Sequence, residues 1–294
     1  SDVCSSDLTF VLSSDTGSSA TDGNSRIGTI TVNGLQSGST WEFTTNNGGT
    51  WTAGSGNSFT LSEGTYAAGT IQVRQTDAAG NTSQLGTNAG AIVIDTTAPV
   101  VALNRVANSA NGLYDAGFQI NAGSSASLTV SVNGTPLSAL QIADQFSSST
   151  SGSVTTYLAK AGAFNGSEVI VVTVGETDTA GNTSSATRTL AAIDTTAASA
   201  PTFVLSSDTG SSATDGNSRN GSITVNGLQA GGSWEYSLNG GTSWTAGSGN
   251  SFTLSEGTYA AGTIQVRQTD AAGKDRKSTR LNSSHLVISY AVFC

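Results

Sequence analysis

The chain has 294 residues and a formal net charge of −9 from 20 acidic and 11 basic side chains, with 36 Gly, 3 Pro, 2 Cys, one His and no Met. Residues 9–273 hold 17 acidic and 7 basic side chains, and an acidic segment with no basic patch is a poor ligand for nucleic acid or an anionic membrane surface; no apolar run approaches the roughly 20 residues that span a bilayer. Abundant Gly, Ser, Thr and Asn would suggest disorder on their own, but the apolar residues alternate with polar ones, which argues for half-buried strands.

Taken in chain order, the first strand signal is Ile30-Thr31-Val32, closed by the turn pair Asn33-Gly34. Trp41-Glu42-Phe43 alternates next and runs into Asn46-Asn47-Gly48-Gly49 before Trp51. Phe59-Thr60-Leu61 follows, then Ile71-Gln72-Val73-Arg74, whose period of two puts Ile71 and Val73 on the core face and Gln72 and Arg74 outside. Ala91-Ile92-Val93-Ile94 closes the unit. The second unit repeats the logic with Leu128-Thr129-Val130-Ser131-Val132 before Asn133-Gly134, and with a late strand over residues 168–174. Residues 136–146 come closest to a helical period and are expected to form a short helix or an irregular loop.

The third unit is a near copy of the first. Residues 9–80 return as residues 202–273 at an offset of 193, with 61 of 72 positions identical. Self-similarity at a fixed offset is the signature of a module array. Two shorter phrases mark the joints. Ile94-Asp95-Thr96-Thr97-Ala98 recurs at Ile193-Asp194-Thr195-Thr196-Ala197, and Thr76-Asp77-Ala78-Ala79-Gly80-Asn81 recurs at Thr177-Asp178-Thr179-Ala180-Gly181-Asn182. Three modules follow, 9–95, 96–194 and 195–273, each the size of one small β-sandwich. The junctions are too short to be flexible spacers, so neighbouring modules are expected to be closely coupled. Module two is the divergent one: it lacks the tryptophans and the Asp15-Thr16-Gly17 opening.

The ends depart from the repeat. Residues 1–8 replace the Ser199-Ala200-Pro201 lead-in of the later copy, and after Gly273 the sequence turns basic at Lys274, Arg276, Lys277 and Arg280. Cys4, Cys294 and the single His285 all lie in these ends. Residues 274–294 resemble translated sequencing adapter, and residues 1–8 look like the same artefact, so both are set aside as extensions. Module three then lacks a counterpart of 91–94 and is expected to be truncated, with an uncovered edge.

The acidic residues sit in turns and at strand ends. If modules stack end to end, Asp77, Asn81 and Asp95 meet the start of module two. Oxygen-only ligands with no His or Cys nearby suit Ca2+, which would neutralise the carboxylates and stiffen the joint. The competing reading is that these Asp and Asn side chains cap their own turns. Trp41 and Trp234 read as core. All four tryptophans could be read as sugar-stacking platforms; Trp51 is the better candidate for exposure, and packing is the preferred reading over sugar stacking. Residues 9–273 contain no His or Cys, which removes the usual catalytic triads, and repetition favours mechanical or multivalent use.

Leu12-Ser13-Ser14-Asp15-Thr16-Gly17, Trp41 with Asn47-Gly48-Gly49-Thr50-Trp51, and the run from Gly69 through Thr76-Asp77-Ala78-Ala79-Gly80-Asn81-Thr82-Ser83 together resemble bacterial immunoglobulin-like repeats of large surface or type I-secreted adhesins. Asp95-Thr96-Thr97-Ala98-Pro99 and Asp194-Thr195-Thr196-Ala197 resemble the joint motif of those arrays. The resemblance implies tandem immunoglobulin-like β-sandwiches in an extracellular or cell-surface stalk of a Gram-negative bacterium, with no catalysis. It implies calcium at the joints, with Asp77, Asn81, Asp95, Asp178, Asn182 and Asp194 matching the joint pattern and Asp15 and Asp208 the opening motif. The partners it implies are adjoining modules of the same chain and a host-surface or biofilm-matrix receptor. A carbohydrate-binding accessory module of a secreted polysaccharide-active enzyme is the alternative, and a self-associating lattice module a third.

Overall fold

The structure is a computed structural model and describes residues 8–108, 112–209, 211–280 and 285–288. It is all-β, a tandem of immunoglobulin-like sandwiches with one short helix among the described residues. Module one runs through β1 (Thr9–Leu12), β2 (Asn24–Ser25), β3 (Thr29–Asn33), β4 (Thr40–Thr44) and β5 (Thr52–Ala53). It continues with β6 (Ser58–Thr60), β7 (Gly64–Tyr66), β8 (Gln72–Thr76), β9 (Gly86–Thr87) and β10 (Ile92–Ile94). These strands assemble as β1-β3-β6, β2-β10-β7 and β5-β4-β8-β9. Every pairing is antiparallel except β10 on β2.

The predicted alternation sets the core. Ile30 and Val32 point inward from β3, Val73 from β8, and Ile92 and Ile94 from β10, closing over Trp41, Phe59 and Leu61. Each such side chain contributes about 1.5–3 kcal/mol by leaving water. Phe43 stacks on Phe59 with ring centroids 4.1 Å apart. Trp41 lies against Gly54, where a Cβ would stand 2.0 Å from the ring, and its Nε1–H donates to the Gly56 carbonyl at 3.0 Å. Gln75 is fully buried on the same face of β8. It is tolerated because its Oε1 accepts from Gln36 N at 2.9 Å and its Nε2 donates to Gly34 O at 3.3 Å.

Module two holds β11 (Ala102–Ala107), β12 (Asp115–Asn121), β13 (Ser127–Val132) and β14 (Thr135–Pro136). After these come α1 (Ala139–Gln145), β15 (Phe146–Ser151), β16 (Val154–Ala159), β17 (Ile170–Thr177) and β18 (Thr183–Thr189). Two four-stranded sheets, β11-β12-β16-β15 and β14-β13-β17-β18, face each other. Phenylalanines take the place of tryptophan: Phe118, Phe146 and Phe164 pack with Val130, Val172 and Val174, and Phe118 stacks on Tyr157 at 4.8 Å. Buried Asp115 is held by the Arg105 guanidinium at 2.8 Å and by the Ala191 amide at 2.7 Å. The expected helix forms from 139 because Ser138 caps it: Ser138 Oγ accepts from Gln141 N while Gln141 Oε1 accepts from Ser138 N. None of its residues is buried.

Module three repeats module one through β19 (Thr202–Leu205), β20 (Asn217–Ser218), β21 (Ser222–Asn226), β22 (Ser233–Ser237) and β23 (Thr245–Ala246). It ends with β24 (Ser251–Thr253), β25 (Gly257–Ala260), β26 (Gln265–Thr269), β27 (Asp275–Arg280) and β28 (His285–Ile288). Its sheets are β19-β21-β24, β20-β28-β25 and β23-β22-β26-β27, the arrangement of module one. Here the expected uncovered edge needs correcting. β27 pairs with β26, and β28 fills the closing position with Leu286 and Ile288 buried in the core. The physical reason is that this position needs two inward apolar residues on an extended strand, and Leu286-Val287-Ile288 supplies them, differing from Ile92-Val93-Ile94 at one residue although it lies beyond the end of the 193-residue repeat. Leu8, set aside with the N-terminal extension, is likewise buried in the core of module one.

Candidate functional site

The residues singled out by sequence gather where one module meets the next. β17 and β18 are joined by a tight turn whose shape is fixed by Asp178. Its Oδ1 accepts from Ala180 N at 3.0 Å and Asn182 N at 2.9 Å, and its Oδ2 accepts from Asn182 Nδ2 at 3.0 Å. Burial opposes the charge, but the bonds from Asn182, Ala180 and Gly181 outweigh it and hold the Asp178 carboxyl below its ordinary value. So fixed, the turn presents its own polar groups to module one. The Ala180 carbonyl accepts from Thr16 Oγ1 at 2.6 Å and from Arg26 N at 3.2 Å. The Gly181 carbonyl accepts from Arg26 Nη1 at 3.0 Å, and Thr179 Oγ1 accepts from Asn24 Nδ2 at 3.0 Å. Asn182 Nδ2 donates to the Asp95 carbonyl at 2.8 Å.

The approach is close enough to exclude side chains. Gly17 has φ +110°, and a Cβ there would stand 2.1 Å from the Thr179 carbonyl oxygen. A Cβ on Gly181, at φ +90°, would stand 2.9 Å from Gly17 N. The opening Asp15-Thr16-Gly17 is therefore a docking loop that donates to the neighbouring module through Thr16, with Gly17 at the contact itself.

The second joint follows the same plan with different residues. Asp270 Oδ1 accepts from Ala272 N at 2.9 Å and Lys274 N at 2.8 Å, giving the same turn with lysine at the place of Asn182. Ala272 is buried, and its carbonyl accepts from Asn108 Nδ2 of module two at 2.9 Å. Asp194 ends module two here, and Thr196 N donates to its Oδ1 at 3.0 Å. Burial raises the Asp194 carboxyl above its ordinary value, helped by the neighbouring Asp270 and Glu168 carboxylates and opposed by the Thr196 amide and Lys274.

The expected grouping of Asp77, Asn81 and Asp95 is rearranged. Asp95 meets Asn182 of the following module, and its own Oδ1 accepts from Thr97 N at 2.9 Å. Asp77 accepts from Ala79 N, Asn81 N and Asn81 Nδ2 at 2.8–2.9 Å, all inside its own turn. That turn is the counterpart of 178–182, which faces the preceding module, so by the same geometry it faces away from module two. Asp15 and Asp208 occupy equivalent places. In each, Oδ2 accepts a backbone amide, from Gly23 at 2.9 Å and Gly216 at 3.0 Å, and Oδ1 is buried with no partner. Asn24 Oδ1, beside the first joint, is in the same condition. Among the described residues no three His, Cys, Asp or Glu side chains come together in a way that would hold a metal ion.

Sequence reasoning found the turn aspartates and missed the groups that donate to the turn carbonyls: Thr16, Arg26 and Asn108. Arg26 was legible only as an isolated basic residue in an acidic loop. The linker is also stitched to its own module, since the Thr96 and Thr97 hydroxyls donate to Glu63. Those two bonds, Thr96 first, lower the Glu63 pKa.

The tryptophans bear on the sugar-stacking alternative. Trp41 and Trp234 are buried. Trp51 and Trp244 are partly exposed, but each carries a guanidinium over its ring, Arg74 at 4.0 Å and Arg267 at 4.2 Å from the centroid. The arginines are held there by Glu42 at 2.8 Å and Glu235 at 2.5 Å. A sugar would have to displace an ion-paired cation to stack on that face.

No family model and no curated protein matches the chain. Among solved structures it is similar to a Ca2+-stabilised adhesin with which an Antarctic bacterium binds ice, at 18% identity over 96% of this chain and 74% of that one, with a TM-score of 0.36. A 1.5-MDa bacterial ice-binding adhesin is similar at 16% identity, covering 88% of this chain and 90% of that one, with a TM-score of 0.33. The major pilin subunit of Bacillus cereus is similar at 9% identity over 90% and 82%, with a TM-score of 0.22. At these scores the likeness carries no argument about what this chain binds.

Proposed function

We propose that this chain is a non-catalytic stalk segment of a bacterial adhesin at the cell surface or outside the cell, serving attachment or biofilm cohesion. The observation that carries the reading is the first joint. Five hydrogen bonds and a glycine-on-glycine approach tie module two to module one, at a boundary where a flexible chain would have a spacer. Short joints with shared contacts convert a string of sandwiches into a rod, which is what a stalk holding a receptor-binding end away from the cell requires. A host-surface or biofilm-matrix receptor is the external partner in this reading, and adjoining modules are the internal ones.

Calcium is the second part of the proposal. In its favour are the all-oxygen donor set, the orphaned Oδ1 of both Asp15 and Asp208, and the carboxylates crowded around Asp194. Against a full calcium cage stand the oxygens of Asp77 and Asp178, already taken by turn amides. The fit is therefore best at Asp15, Asp208 and Asp194, with Asp95 and Asn182 beside the first of these joints. A bound cation there would neutralise carboxylates and stiffen the joint.

Small-angle scattering with calcium and with chelator tests both parts. An extended particle in either buffer, further stiffened and melting higher in calcium, is expected. An ensemble of independently moving modules would sink the stalk reading. Unchanged dimensions and melting temperature would sink the calcium part alone.

A further inference from the structure

Module one and module three are closed by strands of different origin seated in one register. In module one, β10 runs parallel to β2, with Val93 beside Asn24 and Ile94 beside Ser25, and antiparallel to β7, with Ile92 beside Tyr66 and Ile94 beside Gly64. In module three, β28 places Val287 beside Asn217 and Ile288 beside Ser218, and sets Leu286 beside Tyr259 and Ile288 beside Gly257. The 193-residue repeat ends at Gly273, so β28 is not a copy of β10. The two strands read Ile92-Val93-Ile94 and Leu286-Val287-Ile288, so they share the middle Val and the last Ile and differ only at the first inward residue, with both inward side chains in the core.

The slot supplies main-chain partners on both sides, from β20 and β25, so pairing itself reads no side chain. The inward positions hold Ile92 or Leu286 and Ile94 or Ile288, and the position between them is Val in both strands. The flanking partners Asn217, Ser218, Thr258 and Tyr259 are uncharged and place no electrostatic condition on the entrant. A site with these properties recognises an extended strand by pattern, which is how sheet edges take up strands from other chains.

We propose that the space between β20 and β25 is a strand-acceptor site. When β28 is withdrawn it takes the closing-strand segment of a second copy of this chain, residues 89–96, with Ile92 and Ile94 in the places of Leu286 and Ile288. Copies of the chain are thereby joined through strand exchange at this module.

The test uses the full chain carrying Leu286→Asp and Ile288→Asp, which makes β28 unfit for the core. It is refolded with a labelled peptide of the sequence of residues 89–96. The variant is expected to retain this peptide at least about tenfold more tightly than the unaltered chain, whose slot is filled. A control peptide with Asp at both Ile positions is not retained. Because the peptide is present throughout refolding, a variant that cannot fold without a closing strand still meets its donor. Absence of retention, or equal retention by the unaltered chain or of the control, overturns the proposal. A second variant, His285→Ala with Leu286→Ile, writes the sequence of 91–94 into β28. Melting within roughly 5 °C of the unaltered chain supports selection by pattern, and a fall of more than about 10 °C overturns it.

Discussion

Gly54→Ala tests the account of the module-one core most directly. An ideal Cβ on Gly54 stands 2.0, 2.2 and 2.3 Å from three atoms of the Trp41 ring, where carbon atoms at rest keep about 3.5–4.0 Å. The indole must retreat by about 1.5 Å to restore that spacing. Retreat strains its Nε1–H bond to Gly56 and its packing on Phe43 and Phe59, whose centroids lie 6.0 and 6.2 Å away. Overpacking of this kind costs about 1–3 kcal/mol, and complete loss of a buried tryptophan about 3–5 kcal/mol, so about 3 kcal/mol is expected. For a domain of this size that is a fall of roughly 12–24 °C in melting temperature. Tryptophan fluorescence is the assay, since module two contains no tryptophan and the signal comes from modules one and three. Module three holds Gly247 in the same relation to Trp234, with a Cβ at 2.2 Å from the ring, and so serves as an internal reference. Gly54→Ala should split the transition in two, and Gly247→Ala should split it the other way. A single unshifted transition, or a loss under about 0.5 kcal/mol, would refute the packing argument.

Gly17→Ala should open the first joint, because its Cβ meets the Thr179 carbonyl and its φ of +110° is one that alanine avoids; inter-module motion by NMR relaxation should rise while each module's own stability stays unchanged. Thr16→Val removes the hydroxyl that donates to the Ala180 carbonyl and should weaken coupling between modules one and two by about 1 kcal/mol, read from the separation of their unfolding transitions. The Glu63 pKa is lowered by the Thr96 and Thr97 hydroxyls, so its contribution is present above the ordinary value of 4.5 and lost as pH falls through the lowered one. Protease cleavage near 96–97 should therefore increase in acid, and Glu63→Gln should flatten that dependence. Asp194 has the opposite sign: its raised pKa means the folded joint disfavours the charged form, so stability of the second joint should rise as pH falls through that value. Asp194→Asn should raise the melting temperature at neutral pH without calcium and remove any further gain on adding it.

Period-two alternation was readable wherever a strand is long enough to show it. It therefore located β3, β4, β8 and the late strand of module two, though β17 starts at Ile170 rather than at 168. Two-residue strands such as β2, β5 and β9 are too short to carry a period and form because longer neighbours offer them partners. The joint was half legible for a different reason. Asp178 and Asn182 fix a turn through bonds within five residues, and a local motif of that kind repeats visibly in sequence. Which surface receives the turn depends on how two sandwich ends face each other, and no local pattern encodes that, so Asp77, Asn81 and Asp95 were expected together at the start of module two, whereas only the Asp95 carbonyl meets module two, at Asn182. β28 shows the converse. A match at the fixed 193-residue offset was the wrong criterion, since Leu286-Val287-Ile288 lies beyond that repeat yet differs from Ile92-Val93-Ile94 at one residue and buries Leu286 and Ile288 in the core. Sequence repetition marks what was duplicated, whereas the fold accepts whatever satisfies its pairing and burial. The joints are selective because carbonyl and amide positions must match across two modules, and the closing strand is permissive because its bonds are main-chain only.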